Sequence, residues 1–295
     1  SMHYGQLQCV MVARFYGAPK SVFQKSIAYI GTMQFKGLGF PNKPFELQND
    51  FSVAILGLPK FFREEAATVT AQTMQIGNRP CRIYGGAHAE YLLLQMTGEH
   101  ELQSMDNEVA AIVQSSRNFL FAAIPVESWN DALSPWEAPA VRGTQGFSGN
   151  AADTLCVLTE RVIPTLKQQF RLSENVKIIL GGYSLAGLFA LWASTQTDLF
   201  YGVAAASPSV WFPGWMEFEQ RHPMQTQHIY LSLGDKEEHT KNAVMAAVGD
   251  NIRTLHSRLT ERGADCTLEW NSGGHFKDAD LRTAKAFRWV MEEHT

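Results

Sequence analysis

The chain has 295 residues, of which 45% are hydrophobic and 18% charged, with a formal net charge of −4. That length buries a core large enough to need no disulfide or metal staple, and a pI near 6.1 offers no electrostatic footprint for nucleic acid or anionic lipid. No run reaches the ~20 apolar residues of a membrane helix, and Cys9, Cys81, Cys156 and Cys266 are scattered without metal-ligand spacing.

The opening residues, SMHYGQLQCVMVARFYG, lack the basic stretch and clean apolar run of a secretory signal. Ser1 ahead of Met2 reads as a cloning remnant, and three of the cysteines sit among apolar residues as reduced thiols, so the expected location is cytoplasmic. Up to about residue 65, Phe15, Phe23, Phe35, Phe40, Phe45, Phe51, Phe61 and Phe62 are sprinkled between Gly and Pro without a period. Residues 1–65 are therefore expected to be an N-terminal extension, packed on the core or forming a small subdomain. Residues 66–295 are expected to form the main domain.

From Thr68 onward strand-like and helix-like segments alternate, the pattern of an α/β sheet. Residues 68–76 and 81–84, split by Gly77-Asn78-Arg79-Pro80, predict an antiparallel hairpin. Strands are expected at 91–96, 119–125, 176–180, 202–206, 229–233 and 267–270. Predicted helices cover 106–115, 151–170 (kinked at Pro164), 185–194, 242–262 with Val244, Val248, Ile252, Leu255 and Leu259 on one face, and 278–293 with Leu281, Ala284, Phe287, Val290 and Met291 inward. The long segment 127–149, rich in Trp, Pro and Gly, reads as a functional or mobile loop.

Ser184 lies in Gly182-Tyr183-Ser184-Leu185-Ala186-Gly187, between an apolar strand and a helical run. A strand-to-helix turn this sharp needs small residues on either side of the serine. It lifts the hydroxyl above the sheet and aims a helix N-terminus at it. A serine needs a base to attack an ester, and on sheets of this kind the chain order is nucleophile, acid, histidine. His275, in the glycine-bearing loop after the last strand, fits better than His239, His256 or His294. The acid should follow the strand at 229–233. Glu237, three residues after Gly234, is favoured there, Asp235 is the alternate and Glu238 comes third. Leu185 N–H is expected as one oxyanion donor, with Thr97 or Gly98 supplying the second. Trp129, Trp136 and Trp211, on loops leaving strand ends, are candidates to line a pocket for an apolar or aromatic ester.

Gly182–Phe189 (GYSLAGLF), the Ser207–Trp211 loop, Gly234–Glu238 and Gly273–Phe276 (GGHF) together resemble the esterase D-like esterases. That family includes siderophore esterases, feruloyl esterases, S-formylglutathione hydrolase and the antigen 85 mycolyltransferases. The resemblance implies an α/β-hydrolase fold and a Ser184, Glu237 or Asp235, His275 triad. It also implies no metal or cofactor, and a small-molecule ester as partner. Two positions depart from the family pattern: Gln95-Met96-Thr97-Gly98 stands where many members carry His-Gly, and the elbow has Ala186 where glycine is commoner. An acyltransferase using the same triad, or an idle fold serving as a binding module, would share these motifs.

Overall fold

The computed structural model describes residues 70–115 and 117–292. The extension expected over residues 1–65 lies outside the described residues, as do Cys9 and His294.

One eight-stranded sheet runs in the order β1-β2-β4-β3-β7-β8-β9-β10. Strands β1 (Gln72–Ile76) and β2 (Arg79–Gly85) form the expected hairpin. Its turn is only Gly77-Asn78, with Gly77 at φ +60°. Pro80 can join the strand because β2 pairs with its inner neighbour only from Arg82 onward, so no ladder bond is lost there. That neighbour, β4 (Phe119–Pro125), is antiparallel to β2 and parallel to β3 (Tyr91–Thr97).

Every further pair is parallel, through β7 (Lys177–Tyr183), β8 (Gly202–Ala206), β9 (His228–Gly234) and β10 (Asp265–Asn271). The inner strands are near-continuous apolar runs because both faces are covered. Two polar exceptions, Gln95 and Thr97, 1% and 0% exposed, sit at the C-terminal end of β3.

Helices α1 (Glu99–Val113) and α9 (Ala279–Met291) cover one face, packing Met105, Val109, Ile112, Phe287 and Val290 against Leu93, Phe121 and Tyr230. The other face carries α3 (Ala151–Val157), α4 (Ile163–Gln169), α5 (Leu185–Gln196) and α8 (Val248–Glu261). Between β3 and β7 the chain changes direction across the sheet, since β4 lies on one side of β3 and β7 on the other. A crevice opens at such a point, at the strands' C-terminal ends.

Several expectations are corrected. Helix α1 starts at Glu99 rather than 106, because its first turns are polar and show no apolar period; Glu101 secures the start by accepting from the Gly98 N–H at 2.9 Å. The kink expected at Pro164 is a π-helical turn, Leu158–Val162, which absorbs the missing proline N–H between α3 and α4. The helix expected over 242–262 is two: α7 (Ala243–Ala246) and α8. Asn242 caps the first and donates to Val141 O at 2.7 Å, leaving Val244 outside at 45% exposure.

Leu281 is likewise 51% exposed, and its neighbour Arg282, 3% exposed, takes the inward position. The segment 127–149 is structured, with α2 (Trp129–Leu133) and a two-stranded ribbon of β5 (Glu137–Ala138) and β6 (Phe147–Ser148). An unforeseen helix, α6 (Trp215–Arg221), follows the Pro213-Gly214 turn and buries Trp215 and Glu219. Of the described thiols only Cys81 is buried; Cys156 is exposed and Cys266 half-buried.

Candidate active site

Ser184 stands between β7 and α5 with φ +58° and ψ −121°, a conformation costly for a non-glycine residue. The Ser184 N–H donates to Ala206 O at 3.2 Å and Ser184 O accepts from Ser209 N–H at 3.0 Å, so neighbouring strands hold the turn. Glycine is required two residues earlier, since a Cβ on Gly182 would lie 2.6 Å from that of Ala186. Leu185 is the first residue of α5, so its N–H has no acceptor within the helix.

His275 hangs from the loop after β10. Its Nε2 lies 3.0 Å from Ser184 Oγ and its Nδ1 2.6 Å from Glu237 Oε2. Glu237 opens a 3-10 turn after β9, with a side chain only 5% exposed. Its Oε1 accepts from Gly234 N–H at 2.7 Å, Ser207 Oγ at 2.8 Å and Arg282 Nη1 at 3.1 Å. Burial opposes ionisation of Glu237, but the bonds from His275, Ser207 and Gly234 more than offset it and hold its carboxyl below the ordinary value.

The other two carboxylates of this loop are engaged elsewhere. Asp235 accepts from the Gly273 N–H at 2.7 Å and donates its own N–H to Asn271 O at 2.8 Å, tying the β9 loop to the histidine loop. Glu238 makes a two-pronged pair with Arg253 at 2.8 and 2.9 Å.

Arg282, in α9, gave no signal in the sequence beyond membership of a helix. Besides Glu237, its guanidinium donates to Tyr183 OH at 3.1 Å, and to the carbonyls of Ser272 and Gly274 at 3.2 and 3.3 Å. Tyr183 OH in turn donates to His275 O at 2.6 Å. One buried cation thus ties the acid, the strand ahead of the serine and the histidine loop together. Ser207 and Ser209 were also missed as individuals, although their loop was singled out. Ser209 Oγ is 3.3 Å from Ser184 Oγ.

A cavity of about 400 Å³ beside Ser184 and His275 is lined by Trp129, Gly98, Tyr183 and Phe276 among others. A second, of about 550 Å³, lies on the other side of His275 and includes Trp211, Ser207 and Glu237. Trp136 lines neither: its indole donates to Pro213 O at 2.9 Å and packs on Phe212 and Phe218, a structural role. Thr97 is buried at the end of β3 and does not line the cavity. Gly98 does, but its N–H is already engaged by Glu101. As the structure stands, neither expected second donor is free toward the serine. Among the described residues no group of His, Cys, Asp or Glu is placed to hold a metal ion, and no helix is long and apolar enough to cross a membrane.

A sequence model of the family described as "Putative esterase" matches residues 109–278, more than half of the chain. Among solved structures, an IroE-like serine hydrolase from Shewanella oneidensis is similar with a TM-score of 0.63 at 15% identity, covering 74% of this chain and 79% of that one. The siderophore hydrolase EstA from Aspergillus nidulans gives 0.56 at 18%, covering 83% and 98%. The enterobactin esterase FES from Shigella flexneri gives 0.54 at 17%, covering 76% of this chain and 58% of that one. At such identities the likeness carries the α/β-hydrolase fold alone. No curated protein matches the sequence.

Proposed function

From the premise that the chain belongs to the "Putative esterase" family, we propose that it is a serine carboxylic-ester hydrolase in which Ser184, His275 and Glu237 form the catalytic triad. The observation that carries this reading is the His275 ring bridging two groups far apart in the chain, at 3.0 Å to Ser184 Oγ and 2.6 Å to Glu237 Oε2. Glu237, kept ionised, accepts the Nδ1–H and fixes the tautomer that leaves Nε2 free to take the serine proton.

Ser184 Oγ attacks the ester carbonyl as His275 removes its proton, and the developing oxyanion meets the Leu185 N–H and the positive end of α5. His275 returns the proton to the departing alcohol, leaving a seryl ester. Water, deprotonated by the same imidazole, then attacks the acyl group and frees the serine. Gly98 N–H can add a second donor only once the Glu101 carboxylate swings away from it.

A fluorophosphonate probe tests the reading. The protein should label at one site, and Ser184→Ala should abolish labelling and cut ester turnover by ~10⁶-fold while the circular dichroism spectrum is unchanged. Full labelling of the alanine variant, or no labelling of the folded wild type, would refute it.

A further inference from the structure

Ser184 and His275 share their cavity with Glu99, Glu101, Glu108 and Asp280, and among the described residues no lysine or arginine lines it. His100 also stands on its wall. The cavity on the far side of His275 has the opposite character, with Arg142, Lys236 and Lys241 around it. Carboxylates near a surface mean little by themselves, because water satisfies them.

Two deeper groups are different. Gln95 and Glu108 are 1% and 2% exposed, and a single bond joins them, Gln95 Nε2 donating to Glu108 Oε2 at 3.3 Å. The other oxygens, Gln95 Oε1 and Glu108 Oε1, are buried without a hydrogen-bond partner among the described residues. Buried acceptors are normally paired, and leaving one bare is costly. Both side chains line the cavity that holds the serine; the two oxygens are themselves covered, and a ligand that draws the side chains toward it would supply the missing donors.

The ligand's charge follows from the same residues. Burial pushes the Glu108 carboxyl well above its ordinary range, and Asp280 and Glu101 raise it further against the lowering effect of the Gln95 bond. Burial thus favours the protonated form of Glu108 in the empty pocket; a cation seated against it would favour the ionised form instead, with the Glu99, Glu101 and Asp280 carboxyls on the same wall adding to the attraction. An anion would be repelled there, and an alkyl chain would leave both oxygens bare. A primary ammonium carries one positive charge and three N–H donors on one small atom, enough for Gln95 Oε1, Glu108 Oε1 and one rim carboxylate.

We propose that the cavity beside Ser184 binds a primary ammonium group carried by the ester it hydrolyses. This rests on the esterase reading of Ser184 and adds the substrate class to it.

The test uses pairs of esters that differ only in ammonium against methyl: 6-aminohexanoyl against heptanoyl aryl esters for the acyl side, and 6-aminohexyl against heptyl benzoate for the alcohol side. The full chain should favour the ammonium member of one pair by about tenfold or more in kcat/KM, mainly through KM, as expected for charge-assisted bonds in a pocket. Acetylating the amine should erase the preference. Glu108→Gln should bring the ratio toward unity, and Asp280→Asn, at the rim and safe for folding, should lower it in the same direction.

A preference for the methyl member in both pairs overturns the proposal, as does a ratio that neither variant moves. Fluorophosphonate labelling and hydrolysis of the methyl members report the serine chemistry separately. Labelling without ammonium preference removes the pocket assignment and leaves the esterase standing, whereas absence of both labelling and hydrolysis removes the two together.

Discussion

Replacing Glu237 with glutamine should disable the base while leaving the nucleophile and its surroundings in place. Glu237 Oε1 accepts three hydrogen bonds, from Gly234 N–H at 2.7 Å, Ser207 Oγ at 2.8 Å and Arg282 Nη1 at 3.1 Å. An amide NH2 cannot stand opposite three donors, so the glutamine must place its oxygen there and turn its nitrogen toward His275 Nδ1. That nitrogen now donates, Nδ1 has to accept, and the single imidazole proton moves to Nε2. Nε2 is the atom 3.0 Å from Ser184 Oγ, and in this tautomer it can no longer take the serine proton. Loss of the correct tautomer lowers kcat by ~10⁴ in serine triads of the same logic, equivalent to about 5.4 kcal/mol at ~1.36 kcal/mol per tenfold.

The assay is kcat for a soluble aryl ester, with KM measured alongside to show that binding is kept. Asp235→Asn is the control. Asp235 Oδ1 only accepts the Gly273 N–H at 2.7 Å, and an asparagine oxygen does the same, so this variant should stay within about tenfold of wild type. A Glu237→Gln enzyme within tenfold of wild type, or an Asp235→Asn enzyme more damaged than it, would refute the assignment of the acid.

Other perturbations have equally definite outcomes. Arg282→Met removes a buried cation from Glu237 and should cost about 3 kcal/mol in urea unfolding, the low end for breaking a buried pair because Glu237 keeps three other donors; a loss below about 1 kcal/mol would show that the clamp does not matter to stability. Glu101→Ala should raise kcat on an uncharged ester by freeing the Gly98 N–H, whereas Glu101→Gln, whose oxygen can still accept that bond, should not. Equal kcat in the two variants would exclude Gly98 as an oxyanion donor.

For Glu108 the sign runs opposite to that for Glu237. Its folded-state carboxyl titrates above the ordinary value of 4.5, so stability falls as pH rises through the ordinary value toward the raised one. Glu108→Gln should therefore raise Tm at pH 8 and leave it nearly unchanged below pH 4, as differential scanning calorimetry would show. A lower Tm at pH 8 would contradict the buried, protonated state.

Legibility in the sequence followed the strength of local signals. The apolar runs at 91–96, 119–125 and 176–180 read as buried strands, and Gly182-Tyr183-Ser184-Leu185-Ala186-Gly187 announces its turn by steric need. Chain order pointed to His275 and to the loop after the strand at 229–233, where spacing from Gly234 favoured Glu237 but left Asp235 as the alternate. The closing helix was found in its right register, with Ala284, Phe287, Val290 and Met291 buried; Leu281 alone was misplaced, because Arg282 takes the inward position beside it. Arg282 is buried by partners 8 to 99 positions away, a kind of satisfaction that no local window displays. The polar first turns of α1 and the helix after Gly214 were hidden for related reasons: a capping contact and a buried Glu219 paired with Arg258 and Arg262 override weak periodicity. Trp136 shows the converse, an aromatic in a suggestive loop whose partners prove to be other aromatics.

The dependence on Arg282 has a consequence for biosynthesis. Strand β7 and the serine turn emerge from the ribosome about ninety residues ahead of the base, and the guanidinium that locks acid to base follows seven positions after His275. Contacts of such long sequence separation form late, once loop closure is outweighed. A nascent or truncated chain ending before α9 would present Ser184 as an ordinary hydroxyl. In the proposed triad the reactivity of Ser184 therefore waits on the segment that carries His275 and α9.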